Sequence, residues 1–435
     1  VRVVVGLVGL SIVLALVVLG AVRGWFGGHE EPGEVTNARR ELAVVASGAI
    51  AQRSAAASVG VSEPKQILFG DLHVHTTFSF DAFLMSLPIS QGDGAHPPAD
   101  ACDFARYCST LDFWSINDHA EGITPRHWRE TVETLRQCNE VAGDPVNPDT
   151  VAFLGWEWTQ VGNTPEEHFG HKNVVLAHTD DDRIPTRPIG ARNVVRTTRR
   201  SLSGATAGLG LFALLGGDQR FHEFARYVAE RREMEECELD VNVRDLPDDC
   251  LETAENPGEL FRKLDEWGHD SIVIPHGTTW GFYTPPGSTW DKQLTAAEND
   301  PDRQVLLEIY SGHGDSDAYR DWRAVEFDAA GTAVCPKPRA NYLPPCWRAG
   351  EIIRERCAAE GETDDECEGR AVEARALAAA AGGQAHLTVP GNRAEDWLDA
   401  GQCRDCAEPA FNYRPGGSAQ YIMALRNFDD PDDPQ

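Results

Sequence analysis

Two histidines one residue apart, His73 and His75, follow the mostly apolar run Gln66 to Phe69. Alternate side chains of an extended strand point to the same face, so an H-x-H pair can bind one metal ion or two adjacent ones. Histidine with carboxylate ligands favours zinc, manganese or iron over magnesium. Taken alone, the pair reads equally well as ordinary surface or core histidines. Other short apolar runs also deliver ligand-type residues. Leu111 to Ile116 leads into Asn117-Asp118-His119, Val151 to Leu154 into Gly155-Trp156-Glu157, and Ser271 to Ile274 into Pro275-His276. His171 opens Lys172-Asn173-Val174-Val175-Leu176. Glu157 lies between Trp156 and Trp158, where a carboxylate is costly to bury unless it is paired or metal-bound. His171 also reads as a capped strand start and His276 as a turn histidine. A single coincidence of run and ligand means little, but their succession points to a convergent polar site.

Apolar runs of this length suit strands buried on both faces. Between them lie helical patterns: Pro98 to Cys108, Arg126 to Val141 opened by Thr124-Pro125, Phe221 to Met234, and Pro257 to Trp267. Alternating strand and helix argue for a parallel sheet, and in β/α barrels the working residues sit at the C-terminal strand ends. Ser201 to Gly217 and the acidic stretch Glu230 to Cys250 read as insertions. Trp347 to Ala381 reads as a helical pair with Gly361 to Asp365 as its turn.

The 435 residues carry 39 Lys plus Arg against 69 Asp plus Glu, a net charge of −30. Such a surface repels phosphate backbones, and no basic cluster resembles a nucleic-acid footprint, so nucleic acid is excluded as a partner. A small anionic substrate remains compatible, because a bound metal reverses the local field. Val3 to Val22 is an uncharged run of the length that crosses a bilayer, and it predicts a signal anchor, with a cleaved signal as the alternative. Residues 27–65 read as a linker. Eleven cysteines suit an oxidising compartment. Cys237 with Cys250, Cys335 with Cys346, Cys357 with Cys367 and Cys403 with Cys406 are plausible local pairs, leaving Cys102, Cys108 and Cys138, of which two can pair. The expected location is the extracytoplasmic face of the cytoplasmic membrane, reached through the N-terminal helix.

The order Asp71-x-His73-x-His75-Thr76, Asp118-His119, Glu157, His171 and Pro275-His276 resembles the PHP (polymerase and histidinol phosphatase) superfamily of metal-dependent hydrolases. Gly70 to Thr76, Ile116-Asn117-Asp118-His119-Ala120-Glu121, Gly155-Trp156-Glu157-Trp158-Thr159, His276-Gly277-Thr278-Thr279-Trp280-Gly281 and Arg414 to Tyr421 resemble more closely an uncharacterised exported bacterial branch, catalogued as a domain of unknown function. The resemblance runs from about Ile67 to the end. It implies an α/β fold, a distorted TIM-like barrel of PHP type over residues 66–435. Helical and acidic insertions fall near 198–256 and 335–400, and a transmembrane helix over 1–26 precedes the barrel. It further implies two or three divalent transition metals, zinc, manganese or iron, at the strand ends. His73, His75, His119, His171 and His276 match ligands, and Glu157 matches the carboxylate that bridges metals. Asp81 falls near a further ligand, and Asp118 matches a ligand or a partner that orients His119. The superfamily closes its site with a late Asp-x-His, but after His313 only His386 remains, without an Asp two residues earlier. The expectation is a chain cut short before that late strand, with a degenerate site as the alternative.

Metals in such a site polarise a substrate oxygen and make hydroxide available near neutral pH. Glu157 and Asp118 are the candidate catalytic carboxylates, and Trp280, Tyr310 and His313 are candidates to line the substrate pocket. No Walker loop, nucleophile elbow or Cys/His arrangement competes. The expected function is therefore metal-dependent hydrolysis of a small molecule, a phosphate ester first. The alternatives are another ester, lactone or amide, and an envelope-anchored binding protein whose site no longer turns over.

Overall fold

The computed structural model describes residues 2–400, except 89–94, 144–146, 199–207, 209–211, 215–217, 280–283, 286–287, 291, 293–294, 296, 312–313, 316–324, 341 and 398–399. The chain divides into two units, Val1–Gln160 with Lys172–Val273, and Val161–His171 with Ile274–Gln435.

In the first unit, β1 (Gly70–Val74), β2 (Phe113–Ile116) and β3 (Val151–Phe153) form a parallel sheet in that order. A second sheet has the order β4 (Gly155–Thr159), β5 (His171–Leu176), β8 (Ser271–His276). A third pairs β6 (Ile189–Ala191) with β7 (Glu252–Ala254) in parallel. The apolar strand residues Trp114, Ile116, Trp156, Trp158 and Val174 are fully buried, as runs covered on both faces require. The expected TIM-like barrel is not what forms. The described strands pair in sheets of two or three, and none closes on itself. A barrel needs strands that tilt and stagger around one continuous ladder. Here β3 is three residues long and gives way at Leu154 to β4, which joins a different sheet.

Helices start where local chemistry starts them. Thr124 accepts a hydrogen bond from the His127 amide at 3.2 Å and opens α5 (Pro125–Ala142), with proline in the first turn. Asn256 caps α7 (Pro257–Trp267) through the Glu259 amide at 2.9 Å, and Gly268 at φ +67° ends it. Between them in the chain, α6 (Gln219–Glu233) is capped by Asp218 and packs Phe221, Phe224 and Tyr227 onto Phe83 of α3 (Phe80–Met85). The short helix α4 (Pro98–Asp103) continues into a wider turn, Phe104–Cys108.

The N-terminal residues are also placed. Arg2–Val22 forms α1, but among the described residues no helix is long and apolar enough to cross a membrane, which overturns the expected anchor and the membrane location built on it. The C-terminal end of α1 is docked instead. Ala21 is buried, and Gly24 and Gly27 approach the backbone of α6 at Arg226 and His222 so closely that a Cβ would collide. The segment after it is held at several points. Arg220 reaches the buried Glu30 at 2.5 Å, the Thr36 amide donates to Asp103 at 3.2 Å, and the Arg40 amide donates to Asp149 at 2.8 Å. Asp149 also pairs with the fully buried Arg106 at 3.0 Å. Leu42–Ser58 then forms α2.

The second unit holds two short antiparallel pairings, β9 (Tyr310–Ser311) with β10 (Gly314–Asp315) and β11 (Glu326–Phe327) with β12 (Ala333–Val334). It also holds the expected helical pair, α8 (Pro345–Ala359) and α9 (Asp364–Ala381). Gly350 lies against Arg375 and the Ala371 carbonyl, so the two helices approach at a point without a side chain. Disulfides join Cys237 to Cys250, Cys335 to Cys346 and Cys357 to Cys367, the local pairs the sequence suggests. Cys102 pairs with Cys138, tying α4 to α5, and Cys108 is an exposed free thiol. Cys403 and Cys406 lie outside the described residues.

Candidate metal centre

The first unit builds a cluster of ligand-type side chains where β1 and β2 end. Between Asp71 and Val74 the register of β1 against β2 slips, a bulge in which β1 carries one extra residue. Asp71 accepts from the His73 amide at 2.9 Å within it. Bulges re-aim side chains. His73, on β1, and His75, just beyond its end, bring their Nε2 atoms to 3.0 Å. The chain continues from β2 beside β4. The Glu157 amide donates to the Asp118 carbonyl at 3.1 Å and the Ala120 amide to the Glu157 carbonyl at 2.9 Å, so His119 and Glu157 sit side by side. This approach needs Gly155, because a Cβ there would collide with the Val174 carbonyl and crowd that of Ile116.

The side chains converge on one carboxylate oxygen. Glu157 Oε2 is 3.4 Å from His73 Nε2, 3.1 Å from His75 Nε2 and 3.3 Å from His119 Nδ1. Asp81 Oδ2 lies 3.1 Å from His119 Nε2. Two overlapping groups result, His73 with His75 and Glu157, and His75 with Asp81 and His119, each with its ligand-type atoms within 4.8 Å of one another. Five of the residues named from the sequence are thus brought together. Asp118 has another task. Both of its oxygens are engaged by Thr76, the amide at 2.6 Å and the hydroxyl at 2.7 Å, which fixes the turn after β1.

Neighbours that the sequence reading passed over orient these groups. Ser79 Oγ is 3.0 Å from His75 Nδ1, so Nε2 is the nitrogen turned to the cluster, and Ser79 Oγ accepts from the His119 amide at 3.1 Å. Thr159 hydrogen-bonds His119 Nδ1, and its own amide donates to Glu121 at 3.0 Å. Glu121 and Thr159 stand inside the recognisable motifs, so position was the available signal. Ser79 was legible as a small polar residue before α3 and nothing more.

The electrostatics show what the cluster lacks without a cation. Desolvation opposes ionisation of Asp81, but the charges of His119 and His75 and the hydrogen bond from His119 hold its carboxyl far below the usual range. Desolvation likewise disfavours the His119 cation, yet Asp81 and Glu157 push it up to about 10. Burial raises Asp118 against the pull of His75 and the Thr76 hydrogen bonds, and it raises Glu121 against His119. The metal-free cluster therefore keeps a proton on His119 to balance its carboxylates. A divalent cation can replace that proton, and imidazole nitrogens with carboxylate oxygens are the donor set of zinc, manganese and iron. The residues fit such an ion.

In the second unit, His171 and His276 are both buried, their rings 5.3 Å apart and edge to face. His168 Nε2 lies 2.9 Å from the Gly277 carbonyl, and Gly170, at φ +69°, sits too close to the His276 carbonyl to carry a Cβ. Tyr310 belongs to β9, while its side chain, with Trp280 and His313, lies outside the described residues.

Residues 62–124 match a family model described as a protein of unknown function (DUF3604). That stretch carries β1, β2, His73, His75, Asp81 and His119 and stops short of Glu157. No curated protein and no solved structure matches the chain.

Proposed function

We propose that the protein is a metal-dependent hydrolase of PHP type, acting on a phosphate ester. The observation that carries the reading is the meeting of His73, His75 and His119 on one oxygen of the buried Glu157, with Asp81 closing the far side of His119. A buried carboxylate among three imidazoles, two of them with nitrogens at 3.0 Å, is a costly arrangement that a shared cation stabilises. His73, His75, Asp81, His119 and Glu157 would hold zinc, manganese or iron, with two ions accommodated by the two overlapping ligand groups. When bound, such ions supply Lewis-acid polarisation of a substrate oxygen and a hydroxide nucleophile near neutral pH. The chain's own residues do the positioning. Asp118 fixes the turn after β1 through Thr76, Ser79 selects the His75 nitrogen that faces the site, and Glu121 aligns β4 with His119 through Thr159. Positive charge at the site lets an acidic protein accept an anionic ester.

The test is elemental analysis of protein expressed in metal-supplemented medium, combined with a panel of chromogenic phosphate and carboxylate esters. Bound transition metal with hydrolysis of the phosphate esters, lost in His73→Ala, supports the reading. Absence of any transition metal ends it. Bound metal with turnover of carboxylate esters alone would move the substrate class.

A further inference from the structure

The first unit contains a second feature that the metal cluster does not use. A cavity of about 1040 Å³ lies at the opposite end of β1–β3 from the clustered histidines, between the strands and α2. Its floor is apolar, formed by Leu72, Phe113, Phe153, Val175 and Ile272. Its roof is the face of α2 that carries Leu42, Val45, Ala46, Ala49 and Arg53. Small residues explain why the space is not filled. Ala46 and Ala49 stand where Leu or Phe would reach the strands, and α2 buries no residue fully. Gln52 pins the helix across the opening by a paired hydrogen bond to the amide and carbonyl of Ile67, both at 2.8 Å.

The rim carries charge of a defined kind. Arg39 and Arg53 both line the cavity, both are exposed, and among the described residues neither has an ion pair or hydrogen bond. The two acidic rim residues are engaged elsewhere. Asp112 accepts the Phe69 amide at 2.8 Å, and Asp270 faces Arg183 at 3.4 Å and His178 at 3.6 Å. In a chain of net charge −30, two arginines left without carboxylate partners beside an apolar space are a specific complement to an anion. Ligand pockets have volumes of roughly 300–1,000 Å³ and apolar linings with a few polar groups that set orientation. At about 1040 Å³ this cavity lies just above that range.

We propose that the cavity binds an amphiphile with a single unbranched acyl-type chain and an anionic head. The chain lies between α2 and the strand floor, and the head lies at the rim against Arg39 or Arg53, which stand towards opposite ends of α2. The site is independent of the metal cluster, so its failure would leave the hydrolase reading untouched.

The test is calorimetric titration of the full chain with octanoate, decanoate and dodecanoate, with dodecyltrimethylammonium as the charge-reversed probe. Affinity should rise about 4-fold per added methylene and favour the carboxylate over the ammonium head. Ala49→Trp, which fills the roof, should weaken dodecanoate at least about 10-fold, equivalent to displacing two buried methylenes. Arg39→Glu with Arg53→Glu alters exposed residues without partners, so the fold should survive. That variant should bind dodecanoate weakly while retaining the ammonium probe. No binding, affinity independent of chain length, or binding unchanged in the arginine variant would overturn the proposal. So would a dimer in sedimentation that Ala49→Trp returns to monomer, because the cavity would then be a seat for a second copy.

Discussion

Glu157 concentrates the chemistry of the site in one residue. Its Oε2 faces three histidine nitrogens, and an amide of nearly equal volume cannot neutralise the cations those nitrogens imply. Glu157→Gln should therefore lose at least one metal and slow turnover by roughly 10²-fold or more, the scale seen when a preorganised electrostatic group is removed. Full metal occupancy with unchanged turnover would remove Glu157 from the centre. His119 supplies a pH dependence. Its pKa in the metal-free fold, about 10, lies above the ordinary value of 6.5. Its stabilising contribution to the metal-free protein is thus fully present below about 6.5 and lost as pH rises through about 10. Metal must displace that proton, so affinity should rise with pH between 6.5 and 9, by up to about 10-fold per unit for one proton released. Competition with a chromophoric chelator at several pH values reads this directly, and a flat profile would show that His119 is no ligand. The clustered residues were legible because metal-ligand chemistry admits few side-chain types and they recur after apolar runs. Asp118 was less legible. Nothing in its sequence position distinguishes a ligand from a residue that holds Thr76.

Elements bounded by local signals were read closely. The Thr124-Pro125 start of α5, the limits of α7 and the pair α8–α9 each follow from caps, prolines and glycine within a few residues. Strand partners were not readable in the same way, since an apolar run shows that a strand is buried but not beside which other strand. The barrel expectation failed there, when β3 and β4 joined different sheets. The docked run 27–65 was equally hidden, because its contacts are with Asp103, Asp149 and Arg220, far away in sequence. One element carries a titration of its own. On α5, His127 is buried against Phe78 at 4.3 Å and Tyr227 at 5.3 Å, with Arg126 donating to its Nε2 at 3.0 Å. Burial first, then the charges of Arg126 and His29, depresses its pKa well below 6.5. A base depressed in the fold contributes stability that is present above the unfolded value of 6.5 and lost as pH falls below it. His127→Phe keeps the stacked ring, so it should flatten the decline of the unfolding midpoint between pH 6.5 and 5. A decline as steep as in the wild type would assign the acid sensitivity elsewhere.

At the scale of the whole molecule, the four disulfides among the described residues fit a protein that folds in an oxidising compartment. The Cys102–Cys138 bond closes the longest loop, with a sequence separation of 36. Chain entropy puts its contribution at about 4 kcal/mol, so Cys102→Ala with Cys138→Ala should lower the denaturation midpoint in urea without changing the metal ligands. An unchanged midpoint would mean that Arg106, just after α4, holds this region by donating to the Cys138 carbonyl of α5 at 2.7 Å and through its Arg106–Asp149 pair. That pair has a further partner in Arg40, which precedes Asp149 by 109 residues. Translation at about 5–20 residues per second leaves Arg40 waiting for its acceptor for roughly 5–20 s. During that interval the α2 segment can meet Ile67, Leu72 and Phe113, but Phe153, Val175 and Ile272 of its floor are not yet made. The nascent chain passes through a window in which α2 lies over an unfinished floor.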